Sequence, residues 1–172
     1  AFTLRTNQGN DTRQKAAEIV QRRLREVGIQ VELHIVEWSA FLKQYIDTGK
    51  FEAVLLAWSL GLDPDPFDIF HSSKADPGEF NFVAYKNPEV DALIEAGRRE
   101  FDQDKRAEIY RKIHALIYED QPYTFLYVPE ALPIVHARVH NVEVTPIGIG
   151  HNLIDWWVPP TEQRYRHWTL EP

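Results

Sequence analysis

The segment Ile29 to Val36 reads Ile-Gln-Val-Glu-Leu-His-Ile-Val, apolar at almost every second position, and predicts a strand with one covered face. Upstream, Phe2 to Asn7 is rich in strand formers, and Gln8-Gly9-Asn10-Asp11 supplies turn and N-cap residues. Between these strands, Ala16, Ile19, Val20, Leu24 and Val27 fall on one stripe of a helix over Asp11 to Val27, and Gly28 stands where a left-handed residue would end it. A short helix is predicted over Trp38 to Asp47, apolar at Phe41, Leu42, Tyr45 and Ile46, and Thr48-Gly49-Lys50 breaks it. Phe51 to Trp58 then holds the continuous run Ala-Val-Leu-Leu-Ala-Trp, the pattern of a strand covered on both faces. The order strand, helix, strand, helix, strand predicts an α/β fold, a right-handed βαβαβ unit with a mostly parallel sheet flanked by helices.

The second half is patterned differently. Gly61, Pro64, Pro66, Pro77 and Gly78 punctuate a loop region around one short helical candidate, Phe67 to Ser72. Asn87-Pro88 is an N-cap and first-turn pair, and Val90, Leu93, Ile94, Gly97 and Phe101 give the helix that follows an apolar face. A second helix, about Asp104 to Tyr118, repeats the pattern with Ala107, Tyr110, Ile113 and Ile117, and Pro122 keeps it from continuing. Tyr123 to Val128 and Leu132 to Ala137 read as returning β segments, and the chain from Val144 is rich in Pro, Gly and Trp with weak periodicity. No internal repeat is visible.

A chain of 172 residues is of one-domain length, and its net charge of −7 removes the electrostatic attraction on which nucleic-acid binding rests. No apolar run approaches the ~20 residues of a membrane span. The absence of cysteine excludes disulfides, thiolate metal sites and a cysteine nucleophile. The chain contains no methionine and opens at Ala1 without an apolar signal region, which suggests a piece cut from a longer or processed protein.

His136 and His140 lie in a strand-like segment, where a four-residue step separates two side chains by about 13 Å, too far for a shared metal. Asp63-Pro64-Asp65-Pro66-Phe67-Asp68 could suggest calcium. That site needs Gly at its sixth position and Glu at its twelfth, whereas counting from Asp63 this loop has Asp68 and Lys74. Acidic turn and cap residues are the plainer reading, and a glycosidase pair formed by Asp63 and Asp65 is an alternative. No Gly-x-Ser-x-Gly elbow and no glycine-rich phosphate loop occurs. No metal or cofactor is expected. In an open parallel sheet, however, ligands bind beyond the carboxyl ends of the strands. Those ends carry Asn7 and Gln8, Glu37 and Trp38, and Trp58, Ser59, Leu60 and Gly61, an amphipathic wall suited to a small ligand. The alternative is that Trp38 and Trp58 only fill gaps between helix and sheet.

The landmarks extend over nearly the whole chain. They are Leu24-Arg-Glu-Val-Gly-Ile-Gln-Val-Glu-Leu33, Glu37-Trp38, Trp58-Ser-Leu-Gly-Leu-Asp-Pro-Asp-Pro-Phe67, Asn81-Phe82, Tyr85-Lys-Asn-Pro-Glu-Val-Asp-Ala-Leu-Ile94, Asp104-Lys-Arg106 through Ile109-Tyr110, and Asp120-Gln-Pro-Tyr123. In this order and spacing the chain resembles the second lobe of the family 5 extracellular solute-binding proteins, the peptide- and nickel-binding components of ABC importers. The resemblance implies a periplasmic-binding-protein-like (type II) lobe at residues 1–145, and a tail at 146–172 that returns toward a missing first lobe. It implies hinge closure on a small solute such as a peptide, presentation to a membrane permease, no catalysis, and a periplasmic or cell-surface location. The ligand-binding residues it implies are Asn7, Gln8, Trp38, Trp58, Ser59, Leu60, Gly61, Asp63, Asp65, Asn81 and Phe82.

One departure stands out. Peptide-binding members carry an Asp a few residues after this tryptophan, paired with the ligand's α-amino group, whereas Ser59-Leu60-Gly61-Leu62 has no charge and the loop is about one residue shorter. An Arg before the tryptophan, seen in some oligopeptide binders, has only Ala53 to Ala57 in its place. An unpaired ammonium is expensive to desolvate. Either Asp63 or Asp65 swings in, the missing lobe supplies the charge, or the ligand is not a typical peptide. A hydrolase using Asp63 or Asp65 and a purely structural interaction domain are the readings from other classes.

Overall fold

The computed structural model describes residues 1–164. The C-terminal eight residues, with His167 and the end of the expected tail, lie outside the described residues. The chain divides into two units, one of Ala1–Ser59 with Pro64–Thr124, the other of Leu60–Asp63 with the chain from Phe125 onward.

In the first unit, β1 (Phe2–Asn7) is the central strand of a parallel sheet ordered β2-β1-β3. It pairs with β2 (Val31–Val36) from Phe2 opposite Val31 to Asn7 opposite Val36, and with β3 (Ala53–Val54) through Leu4 and Arg5. The helix α1 (Asp11–Glu26) begins where the Asn10 side chain accepts from the Arg13 N–H at 2.9 Å. It ends in a Schellman turn: Gly28 N–H donates to Arg25 at 3.0 Å, Ile29 N–H donates to Leu24 at 2.9 Å, and Gly28 sits at φ 81°. The alternation in β1 and β2 puts Leu4, Val31 and Leu33 under α1, where they pack with Ala17, Val20 and Leu24. Arg5 therefore points to the other face, over the Tyr45 ring at 4.6 Å. The helix α2 (Trp38–Phe41) is capped by the Glu37 carboxylate and runs on as a π-helical turn, Leu42–Ile46, with Phe41 and Ile46 buried.

The short α3 (Phe67–Phe70) follows, and then α4 (Pro88–Arg99) and α5 (Gln103–Asp120) pack together around Val90, Ile94, Tyr110, Ile113 and Ile117. Asn87 caps α4, accepting from the Glu89 and Val90 N–H groups at 3.0 and 3.3 Å, and Pro88 occupies the first turn. Gly97 lets the helices approach. A Cβ there would stand 3.3 Å from the Tyr110 ring.

Three expectations are corrected. The third strand is two residues long rather than the span 51–58, because β1 is its only partner among the described residues; Leu55 N–H still reaches Arg5 O at 2.9 Å, and the chain then leaves the ladder. Phe101 is not on the apolar face of α4. The helix stops at Arg99, Asp102 caps α5, and Phe101 between them is 96% exposed. Residues 123–128 and 132–137 form no strand among the described residues, since nothing there supplies a hydrogen-bonded neighbour.

In the second unit, His140 and Trp157 form an antiparallel bridge with their rings stacked 4.7 Å apart. Buried Asn152, in the 3-10 turn Ile149–Asp155, donates to Asn141 O at 2.7 Å and accepts from the Trp156 indole at 3.0 Å.

Candidate functional site

In the order β2-β1-β3 the chain steps from β1 to one side and then crosses to the other, so the switch point, where ligands of such sheets bind, lies beyond the carboxyl ends of β1 and β3. At the end of β1, Asn7 is buried and engaged, accepting from the Arg13 guanidinium and donating to Gln8 O at 2.8 Å. Gln8 beyond it is exposed. Trp38, following β2, is exposed at the start of α2 with its ring 6.3 Å from Phe41. Glu37 beside it is a cap, its carboxyl held below the usual range by the backbone N–H groups of Ser39 and Ala40.

Beyond β3, Trp58 stands in a cluster of rings. Phe82 stacks on it at 5.7 Å and 26°, and Phe80 meets it edge-on at 5.7 Å and 83°. The cluster continues from Phe82 to Phe51 at 6.1 Å and to Tyr123 at 6.1 Å, and from Tyr123 through Phe70 at 5.3 Å to Tyr85. Phe70 and Tyr85 pack on the α4/α5 core, so the ladder ties Trp58 to the most buried part of the unit. Burial pushes the Tyr123 hydroxyl up to about 12, and the neighbouring Trp58 side chain partly offsets that rise. At the other end, the Tyr85 hydroxyl is pushed up by burial and by Asp120, to which it donates at 2.5 Å.

Asn81 lies behind this wall. It has no exposure, donates to His71 O at 3.1 Å and Tyr85 O at 2.8 Å, and accepts from Tyr85 N–H at 3.0 Å, clamping the loop that presents Phe80 and Phe82. Asp65 is likewise engaged: one oxygen accepts from Phe67 N–H at 3.1 Å and the other meets the Arg98 guanidinium at 3.1 Å, itself stacked 4.2 Å over the Phe67 ring. An approaching ammonium would have to displace Arg98. Ser59 is exposed beside Trp58, whereas Leu60, Gly61 and Asp63 belong to the second unit and are exposed there. Phe82 also lines an open cleft of about 490 Å³ with Phe51, Val83 and the acids Glu52, Asp76 and Glu79. Two of these acids are occupied, Glu52 by the Thr3 N–H at 2.8 Å and Glu79 by Lys74 at 3.1 Å.

The structure thus brings Trp58 and Phe82 together and sets Asn7, Asn81 and Asp65 in supporting roles. Sequence reasoning missed Phe80, Tyr123 and Phe51. The alternating Phe80-Asn81-Phe82 was the available signal.

Residues 1–80 match the family described as bacterial extracellular solute-binding proteins, family 5 Middle. The oligopeptide-binding protein AppA of Bacillus subtilis (strain 168) is 40% identical over 159 residues, 92% of this chain and 29% of the relative. Residues 1–80 thus carry this family's pattern, and the likeness to AppA extends over most of the chain. The AppA structure, solved with a nonapeptide, superposes with a TM-score of 0.75 at 39% identity, covering 92% of this chain and 31% of AppA. The Helicobacter pylori periplasmic binding protein DppA, in complex with the peptide STSA, gives 0.65 at 28% identity over 71% of this chain and 24% of its own. NikZ of Campylobacter jejuni, in complex with Ni(L-His), gives 0.61 at 25% identity over 70% and 24%. The chain therefore spans under a third of the length of these relatives. They are binding proteins of a family that is extracellular by description. No helix among the described residues is long and apolar enough to cross a membrane.

Proposed function

We propose that this chain is a ligand-binding lobe of a peptide-binding component of an ABC importer, with residues 1–145 forming half of an interlobe cleft and the chain from 146 reaching toward the other lobe. The observation that carries this reading is Trp58, left 40% exposed beyond the sheet's carboxyl edge and braced by Phe82, in a chain 40% identical to an oligopeptide-binding protein. Gln8, Trp38, Trp58, Ser59 and Phe82 offer the contact surface. Asn7, Asn81 and Asp65 hold it in place. The partners are the remaining lobe of the same polypeptide and the membrane permease, and the location is periplasmic or cell-surface.

The protein binds and releases without catalysis in this reading. No observation favours the hydrolase, whose Asp65 is bonded to Arg98 and Phe67. Because Asp65 is engaged and residues 59–62 carry no charge, countercharge for a peptide ammonium comes from the other lobe. The test is a thermal-shift screen of the complete polypeptide against peptides of two to nine residues, nickel chelates and oligosaccharides. A ligand at 100 times its Kd adds about 2.7 kcal/mol of stability. Stabilisation by peptides supports the reading, and stabilisation by chelates or sugars with no peptide response overturns it.

A further inference from the structure

We infer that Phe80 and Trp58 form a preorganised apolar notch that selects one large hydrophobic side chain of the bound peptide, an aromatic one above all, with Phe80 as the specificity-determining residue. The inference rests on the peptide-binding reading and deepens it.

Phe80 is 56% exposed and Trp58 40% exposed, although their rings already meet edge to face. Two large rings held nearly at a right angle leave an open corner, with ring faces and ring edges both presented to an incoming group. Aromatic rings prefer offset-stacked or edge-to-face neighbours, and such a corner offers both at once. The corner is held rigid from behind. Phe82 backs Trp58 at 26° and is itself packed 6.1 Å from the Tyr123 ring, and fully buried Asn81 clamps the backbone between Phe80 and Tyr85 with its side-chain bonds. A notch fixed before binding spares the ligand the ordering cost of making it.

The charge pattern points the same way. Residues 59–62 after Trp58 carry no charged side chain, and the Asp65 carboxylate is occupied by Arg98. A carboxylate or ammonium on the selected side chain would therefore lose water at the notch without gaining a partner from these groups. Attraction of a cation to the Trp58 face is the competing force, and it would favour Lys or Arg instead.

The test uses the complete polypeptide and a nonapeptide series in which each position in turn carries Phe, Leu, Ser or Lys, with Kd read by calorimetry. At one position Phe is expected to bind about tenfold or more tighter than Ser, with Leu between them and Lys no better than Ser. Phe80→Ala brings the Phe-to-Ser ratio at that position close to one, and Phe80→Leu restores part of it. Phe101→Ala, which removes another exposed ring, leaves the ratio unchanged. If peptides bind but no position prefers Phe, or if Lys is preferred, or if Phe80→Ala weakens Phe and Ser peptides by the same factor, the inference is overturned and the peptide-binding reading stands. If no peptide of the series binds, both fall.

Discussion

The first unit contains two apolar clusters built to opposite rules. Between α4 and α5 the core is largely aliphatic and closed, with Val90, Ile94 and Ile113 wholly buried. Beyond β3 the cluster is aromatic and open, running from Phe70 and Tyr85 on the buried side to Trp58 and Phe80 on the exposed side. Aliphatic side chains interlock to crystal-like density and leave nothing for a ligand to touch. Flat rings with polar edges can be braced on one side and presented on the other, with little rotamer freedom to lose on binding. In the proposed reading the closed cluster supplies stability and the open one a recognition surface, and Phe70 and Tyr85 connect the two.

Substitutions should separate these roles. Ile113→Ala in the closed cluster is expected to destabilise by about 2–5 kcal/mol in urea unfolding, through lost transfer energy and the cavity left behind. Asn81→Ala leaves the backbone groups of His71 and Tyr85 unbonded beneath the open cluster, for about 1–3 kcal/mol, and should weaken peptide binding as the loop loosens. Asn87→Ala removes the α4 cap and should cost about 1 kcal/mol with peptide affinity unchanged.

A smaller effect depends on pH. The Asp120 carboxylate accepts from the Tyr85 hydroxyl and from Asn87 at 2.8 Å, and these bonds hold its carboxyl below the usual range. Its folded-state pKa is depressed. Its contribution is therefore complete above the unfolded value, near 4, and is lost as pH falls through the lowered folded value. The difference in Tm between the parent and Asp120→Asn should accordingly shrink as pH is lowered from 5 to 2. The smallest stability change is expected for Phe80→Ala, within about 0.5 kcal/mol in the same unfolding assay, because that ring is more than half exposed. A loss as large as that of Ile113→Ala would place Phe80 in the core and erase the contrast.

The closed region was more legible than the open one. Val90, Ile94, Ile113 and Ile117 stand at helical spacing, and Gly28 and Asn87 mark helix ends through backbone chemistry that is local to the chain. Phe101 broke the rule because Glu100 leaves the helix one residue before it, a matter of capping rather than periodicity. The aromatic ladder draws on residues 51, 58, 70, 80, 82, 85 and 123, brought together only by the tertiary fold, so no window of sequence contains it. Trp58 and Phe82 were found by their neighbours in the chain; Phe80 and Tyr123 were not. The length of β3, two residues against the apolar run 53–58, is illegible for a related reason. A run of strand formers does not disclose how many hydrogen-bonded neighbours it will meet.

The central claim, that the open aromatic cluster meets the ligand, is tested most directly by fluorine NMR of the complete polypeptide with 5-fluorotryptophan, the Trp58 resonance assigned by Trp58→Phe, during titration with a nonapeptide. A saturable shift of the Trp58 signal, with the midpoint found by calorimetry, is the expected result. Saturable peptide binding by calorimetry with the Trp58 signal unmoved would contradict it.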